Sequence, residues 1–334
     1  DNINKAKSLI FKIVTLCTIW YHQLPTPSPI FIITIYVATN LNNSFSGIVY
    51  TKKYLVITAF YRIQRMNNAL NRERPEVRLR AFRAIDDHET CQLFLEGHEQ
   101  VLSSIGVKKV TSSKTEWTEN PASFVLIVES LDRKRVYGGA RVHVAGGLEP
   151  LPIEQATSAF DQGIIELVRQ YAQYGTGEVC GLWNSREIAG YGIGSIFLFR
   201  AAVAISSQIG LQSLFGLCAP YTLKMAQNVG FDVIKDVGFN GTYYYPKLDL
   251  LATAVLLEDL YDMKATAVED RDAIFKLRQN LNVVILEELR KKQMTIHYEI
   301  AIPNLDKWDL QGTIANSQKI VNPTLQDKTN LTFL

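Results

Sequence analysis

Three glycines at alternate positions, Gly190, Gly192 and Gly194, precede a long apolar run in the segment REIAGYGIGSIFLFRAAVAIS. Glycine lets a backbone reach positive φ and approach a ligand closely, so successive N–H groups can converge on an anion. The apolar run predicts a helix beginning near Ser195, whose unpaired N–H groups and dipole also favour negative charge. The segment therefore predicts either a site for a diphosphate or a tight strand-to-helix turn with nothing bound.

Two common phosphate-binding folds do not fit this loop. A dinucleotide fold places G-x-G-x-x-G directly after its first strand and an acid at the tip of the second. Here the preceding strand ends near Asn184, several residues before Gly190, and the next strand ends in GLCAP without an acid. A P-loop is excluded because the Lys-Ser/Thr pair is missing.

The residues around the loop alternate between strand and helix patterns. VRLRAFRAI predicts a first strand, and the helix after it is capped by Asp86 or Asp87. SFVLIVES and VYGGARVHV flank a polar turn and predict a hairpin. After a further helix come the strand GEVCGLWNS, the glycine loop with its helix, and the buried strand LQSLFGLCA. This order predicts an α+β fold.

Charge separates the first 65 residues from the remainder. They contain one acid and seven bases, whereas the remaining chain has 28 bases and 32 acids. This net negative body argues against nucleic-acid binding. We expect translation to begin at Met66 and residues 1–65 to be an atypical leader outside the native protein. A signal sequence is one alternative, although no A-x-A cleavage site follows the apolar stretch. A membrane anchor formed by residues 8–39 is the other, although both apolar stretches are shorter than a bilayer helix.

The expected domains are residues 66–257 and a C-terminal helical extension, 258–334. Apolar residues recur at helical spacing in AVEDRDAIFKLRQNLNVVILEELRKKQ. Acidic residues lie in its first turn and lysines in its last turn, so the segment predicts one helix. It would pack on the core or serve a homodimer. The four cysteines form no CxxC pair, which indicates reduced thiols in the cytoplasm, and no metal site is expected.

The order of elements over residues 77–256 resembles the GNAT acyltransferase superfamily. Gly190-Tyr191-Gly192-Ile193-Gly194 is similar to its Q/R-x-x-G-x-G/A pyrophosphate motif, and NVGF at 228–231 is similar to its later Gly-Phe pair. The resemblance implies a three-layer αβα domain with a mixed sheet. It also implies that the thioester arm of acyl-CoA lies between two strands splayed by a bulge, for which Gly181 is suited.

The chain departs from that pattern at two positions. The Q/R position is Ala189, with Arg186 nearby as a substitute. The usual tyrosine acid is Ala226, with Tyr221 as a replacement. Glu178 at a strand start is similar to the autoinducer-synthase and N-acyl amino acid synthase branch, whose arginine three residues later is Gly181 here.

The resemblance implies an N-acyltransferase that moves an acyl group from acetyl-CoA, another acyl-CoA or an acyl carrier protein to a small-molecule amine by direct attack. Glu178 would be the base and Tyr221 the acid. Coenzyme contacts would come from Leu182, Trp183, Asn184, Arg186, Gly190, Tyr191, Gly192, Ile193, Gly194 and Ser195. A non-catalytic acyl-CoA-binding or regulatory module is the alternative. No nucleic-acid partner and no stable membrane association are expected for residues 66–334.

Overall fold

The computed structural model describes residues 74–107, 110–247 and 249–319. These residues belong to one compact unit, Glu73–Leu334. The expected leader, residues 1–65, lies outside the described residues, and its interpretation stays a prediction.

The strands of the described chain form one mixed sheet. They are β1 (Glu76–Arg83), β2 (Ser123–Glu129), β3 (Val136–Val144), β4 (Thr176–Asn184), β5 (Ser213–Cys218), β6 (Asp232–Val233), β7 (Thr242–Tyr244), β8 (Leu251–Leu257), β9 (Asn282–Leu289) and β10 (Lys292–Glu299). Their order is β6-β8-β5-β4-β3-β2-β1-β10-β9, and β7 also pairs with β8. Two pairs are parallel, β4 with β5 and β1 with β10.

Helices connect these strands. They are α1 (His88–Ser104), α2 (Pro152–Thr157), α3 (Gly163–Ala172), α4 (Leu198–Ile209), α5 (Pro220–Asn228), α6 (Val268–Gln279) and α7 (Leu310–Lys319). The carboxylate of Asp87 accepts the Thr90 N–H at 3.0 Å and caps α1, which confirms one of the two predicted caps. Among the described helices, none is long and apolar enough to cross a bilayer.

Both faces of the sheet are covered, which explains the continuous apolar run of β2. Phe124, Leu126 and Val128 pack with α4, while Val125 and Ile127 face α1 on the opposite side. All five side chains are fully buried. Strand residues alternate between faces, so a strand buried on both sides needs no polar alternation. The predicted α+β class with a mixed sheet between helical layers is confirmed.

A buried ion pair fixes the helical layer on the α4 face. Arg200 on α4 lies 2.7 Å from Asp270 on α6, and both side chains are at least nine-tenths buried. The contact holds the C-terminal part of the chain against the helix that follows the glycine loop.

The predicted continuous helix near the C-terminus is wrong beyond Gln279. Residues 282–299 instead form the β9–β10 hairpin, and β10 extends the sheet by pairing with β1. Burial along β9 alternates residue by residue, with Ile285 half-buried and its neighbours Val284 and Leu286 exposed. Burial therefore follows the period of two of a strand, and the helical spacing of some apolar residues in this segment is coincidental.

Candidate functional site

The strands β4 and β5 separate just past their first three residues. They pair only from Thr176 with Ser213 to Glu178 with Phe215. Beyond that point β4 stays with β3 as far as Asn184, whereas β5 stays with β8 as far as Cys218. This separation confirms the predicted splay and leaves the facing edges of the two strands unpaired beyond Glu178.

A bulge in β4 causes the divergence. Between the pairs Gly139–Trp183 and Arg141–Cys180, β4 has one residue more than β3. Gly181 lies there with φ of +60°, a left-handed conformation that a bulge of this kind needs and glycine accepts readily. The predicted bulge is confirmed, and it leaves Leu182 without a register partner on β3.

The glycine loop follows the free end of β4. Gly192 has φ of +88°, and the next residues form an irregular turn in which Gly194 and Ser195 are not helical. Regular helix begins at Leu198, three residues later than the sequence predicts, because the turn must first reverse out of the left-handed Gly192.

The loop borders a partly open cavity of about 170 Å³. Its lining comprises Asn184, Ile188, Gly190, Gly192, Ile193, Gly194, Ser195, Leu289 and Arg290. The amides of Gly192, Ile193 and Gly194 donate to no acceptor in the described part of the chain. Free main-chain donors beside a cavity are suited to an anion.

Protein contacts also demand two of these glycines. A Cβ at Gly192 would lie 2.6 Å from the Phe197 ring, and a Cβ at Gly194 would collide with the Asn184 side chain. The glycine pattern alone therefore does not distinguish a binding loop from a tight turn. The cavity and the free amides favour the binding loop.

Glu178 occupies the last paired position before the splay. It is 2% exposed, and its Oε2 accepts the Ile153 N–H at 2.7 Å. Burial raises the pKa of Glu178 to about 8, although the Ile153 hydrogen bond opposes the rise. The Glu154 carboxylate raises this pKa further and the Arg141 guanidinium lowers it, both as smaller effects. A carboxyl group with such a pKa becomes a carboxylate, and so a proton acceptor, as pH rises through about 8.

Aromatic residues and Arg141 line the α1 face of the sheet beside Glu178. The Arg141 guanidinium, fully buried, lies 4.2 Å from the centre of the Trp117 ring. The Trp183 indole packs edge-on against Phe94 at 5.8 Å. Trp183 therefore belongs to an aromatic cluster, which was one of its two sequence-level interpretations.

The remaining predicted site residues lie in different environments. Tyr221, in the first turn of α5, is 83% exposed, whereas Ala226 on the same helix is fully buried. Arg186 is exposed and does not line the cavity. Tyr191 is half-buried, and the Lys292 ammonium lies 4.7 Å above its ring.

Cys180 and Cys218 are buried, and burial raises the pKa of each thiol, to about 12 and about 11. Thiols in this state are poor nucleophiles, as the sequence predicts.

Sequence reasoning missed the C-terminal side of the cavity. Leu289 and Arg290 line it, and Lys292 donates to the Ala189 carbonyl at 3.3 Å. These residues fall in the segment predicted as helix. The available signal was the basic run Arg290-Lys291-Lys292 after the β-branched run Val283-Val284-Ile285, which favours a strand.

No family model matches the sequence, and the sequences of curated proteins give no match. Solved structures do show similarity. An N-acyl amino acid synthase from uncultured soil microbes is 13% identical, with a TM-score of 0.45 over 59% of this chain and 98% of that one. A CoA-dependent acyl-homoserine lactone synthase is 12% identical, with a TM-score of 0.41 over 72% of this chain and 98% of that one. Another acyl-homoserine lactone synthase is 13% identical, with a TM-score of 0.40 over 64% and 98%.

The parallel pair β4 and β5 splays after Glu178, a bulge at Gly181 diverts β4, and a glycine loop leads from β4 into a buried helix. Together with the helical layers on both faces, these features match the arrangement that the resemblance to the GNAT superfamily implied.

Proposed function

We propose that the protein is an N-acyltransferase that transfers an acyl group from acyl-CoA to the amine of a small molecule. One observation supports this most strongly. Glu178, a buried carboxyl group with a raised pKa, lies at the point where β4 and β5 separate, and the glycine-loop cavity lies at the far end of the same strand. The proposed proton acceptor, the proposed path of the thioester arm and the proposed anion site would therefore share one strand.

In the proposed complex, the free amides of Gly192, Ile193 and Gly194 bind the coenzyme's diphosphate. The acyl-pantetheine arm enters between the unpaired edges of β4 and β5, where the main-chain N–H of Leu182 or Trp183 polarises the thioester carbonyl. Asn184, Arg186, Tyr191 and Ser195 complete the proposed coenzyme contacts.

The reaction itself removes two protons from the acceptor's ammonium group. The Glu178 carboxylate accepts the first and releases it to solvent, and the neutral amine attacks the thioester carbon. As the C–S bond breaks, Tyr221 protonates the leaving thiolate and regains a proton from the new amide nitrogen. The products are an amide and free CoA, and no covalent enzyme intermediate is required.

The second candidate is a non-catalytic acyl-CoA-binding or regulatory module. The burial of Ala226 and the exposure of Tyr221 favour it, because no tyrosine on α5 is packed into the site.

Thiol release from acetyl-CoA and longer acyl-CoAs, measured with a panel of amines, distinguishes the two candidates. Turnover with at least one amine supports the enzyme. Coenzyme binding without release across the panel supports the module. Absence of binding to every acyl-CoA contradicts both.

The pH dependence of kcat/KM tests the role of Glu178. Only the carboxylate can accept a proton, so activity should rise with pH through about 8, the pKa of this group. Glu178→Gln should remove this rise and lower kcat/KM by about 100-fold or more. Tyr221→Phe should lower kcat with little change in KM if Tyr221 is the acid.

A further inference from the structure

The turn between β9 and β10 is built from unfavourable residues. Arg290 and Lys291 connect the strands as a two-residue loop, with φ of +50° and +69°. Such turns favour Asn-Gly, because residues with a Cβ are strained at positive φ. Two basic residues therefore occupy positions where asparagine and glycine would adopt the turn with less backbone strain. Strain of this kind often accompanies function.

This turn reaches the glycine loop. Arg290 and its neighbour Leu289 form part of the cavity lining. Arg290 is the one charged residue in that lining among the described parts of the chain. The cavity therefore has positive charge on the side opposite the glycines.

The side chain of Lys292, the first residue of β10, contacts the glycine loop. Its ammonium donates to the carbonyl of Ala189 at 3.3 Å and lies above the Tyr191 ring. A Cβ added at Gly190 would lie 3.0 Å from the Lys292 Nζ. Ala189 occupies the position where the similar motif has a glutamine or arginine, so Lys292 brings a cation to the site from a different part of the chain.

We propose that the β9–β10 hairpin forms the second half of the coenzyme's phosphate site, with Arg290 and Lys292 binding phosphate oxygens opposite the loop amides. Charge-assisted hydrogen bonds from arginine and lysine are the usual means of phosphate recognition, and they are stronger than those between neutral groups. This inference rests on the proposed acyl-CoA function and extends the site beyond residues 77–256.

Calorimetry with CoA tests the proposal. The double variant Arg290→Gln/Lys292→Met keeps the side-chain stems and removes both charges. We expect its Kd for CoA to rise at least tenfold and to depend less on salt between 50 and 300 mM NaCl. Lys276→Met, which removes an exposed charge on α6, is the matched control and should bind as the wild type does.

A second variant separates binding from folding. Arg290→Asn/Lys291→Gly installs the favoured turn, so its thermal unfolding temperature should rise or stay equal while its CoA affinity falls. If the Kd of Arg290→Gln/Lys292→Met for CoA lies within twofold of the wild-type Kd, the hairpin site is overturned and the acyltransferase proposal stays intact. Failure of the wild type to bind CoA would overturn both.

Discussion

The buried carboxyl group of Glu178 makes the protein's stability depend on pH in a way that a single substitution can remove. Its pKa is raised from 4.5 to about 8 by burial. Below pH 4.5 the group is protonated in both the folded and the unfolded chain, so its burial does not make the free energy of unfolding depend on pH. Between these two values the unfolded chain releases the proton and the folded chain keeps it, so stability falls as pH rises.

The size of the effect follows from the two pKa values. Each tenfold change in proton affinity is worth about 1.4 kcal/mol, so the cost at high pH approaches about 5 kcal/mol. Between pH 5 and pH 8 the change is about 3 kcal/mol. Glu178→Gln has no proton to release, and its amide oxygen can still accept the Ile153 N–H.

Thermal unfolding of Glu178→Gln and wild type at pH 5, 6.5 and 8 measures this cost. A domain of this size shifts by about 2–4 °C per kcal/mol, so the variant should gain on the order of 6–12 °C relative to wild type between pH 5 and pH 8. A constant offset from the new amide cancels in this comparison. Glu99→Gln, at an exposed position on α1, is the control and should show no such trend. An equal difference at all three pH values would refute the buried, protonated state of Glu178.

Two further substitutions test the loop and the helical layer. Gly192→Ala places a side chain at φ of +88° against the Phe197 ring, so it should abolish CoA binding and destabilise the fold by about 2–4 kcal/mol. Gly106→Ala, at φ of +72° with a new Cβ no closer than 4.0 Å to the Lys247 Nζ, should cost about 1 kcal/mol and leave CoA binding unchanged in calorimetry. Asp270→Asn removes the carboxylate that pairs with the buried Arg200 guanidinium. The free energy of unfolding, measured with denaturant, should fall by about 3–5 kcal/mol. Glu269→Gln, at a 92% exposed position 3.9 Å from Arg200, should change stability by less than about 1 kcal/mol, and a loss equal to that of Asp270→Asn would contradict the assignment.

Local sequence patterns predicted most of the sheet and the loop. The cap of α1 could be narrowed to Asp86 or Asp87, because a side-chain acceptor directly before a helix acts within one turn, and the structure selects Asp87. The bulge was expected from the resemblance to the GNAT superfamily, and Gly181 was suited to it because glycine accepts positive φ.

The C-terminal hairpin could not be predicted in the same way. Its apolar residues match helical spacing as well as alternation, and only pairing of β10 with β1, more than 200 residues earlier, selects the strand. The pKa of Glu178 likewise depends on α2 and on Arg141, which the sequence does not place beside it.

The sequence by itself determined the α+β class and the strand–glycine loop–helix unit, because these follow from backbone preferences and periodicity over a few residues, whereas the bulge in β4 was expected only from the resemblance to a known family. Only the tertiary structure decided that Glu178 is buried and that Arg290 and Lys292 meet the glycine loop. Burial and charge proximity are properties of distant segments packed together, and no local pattern encodes them.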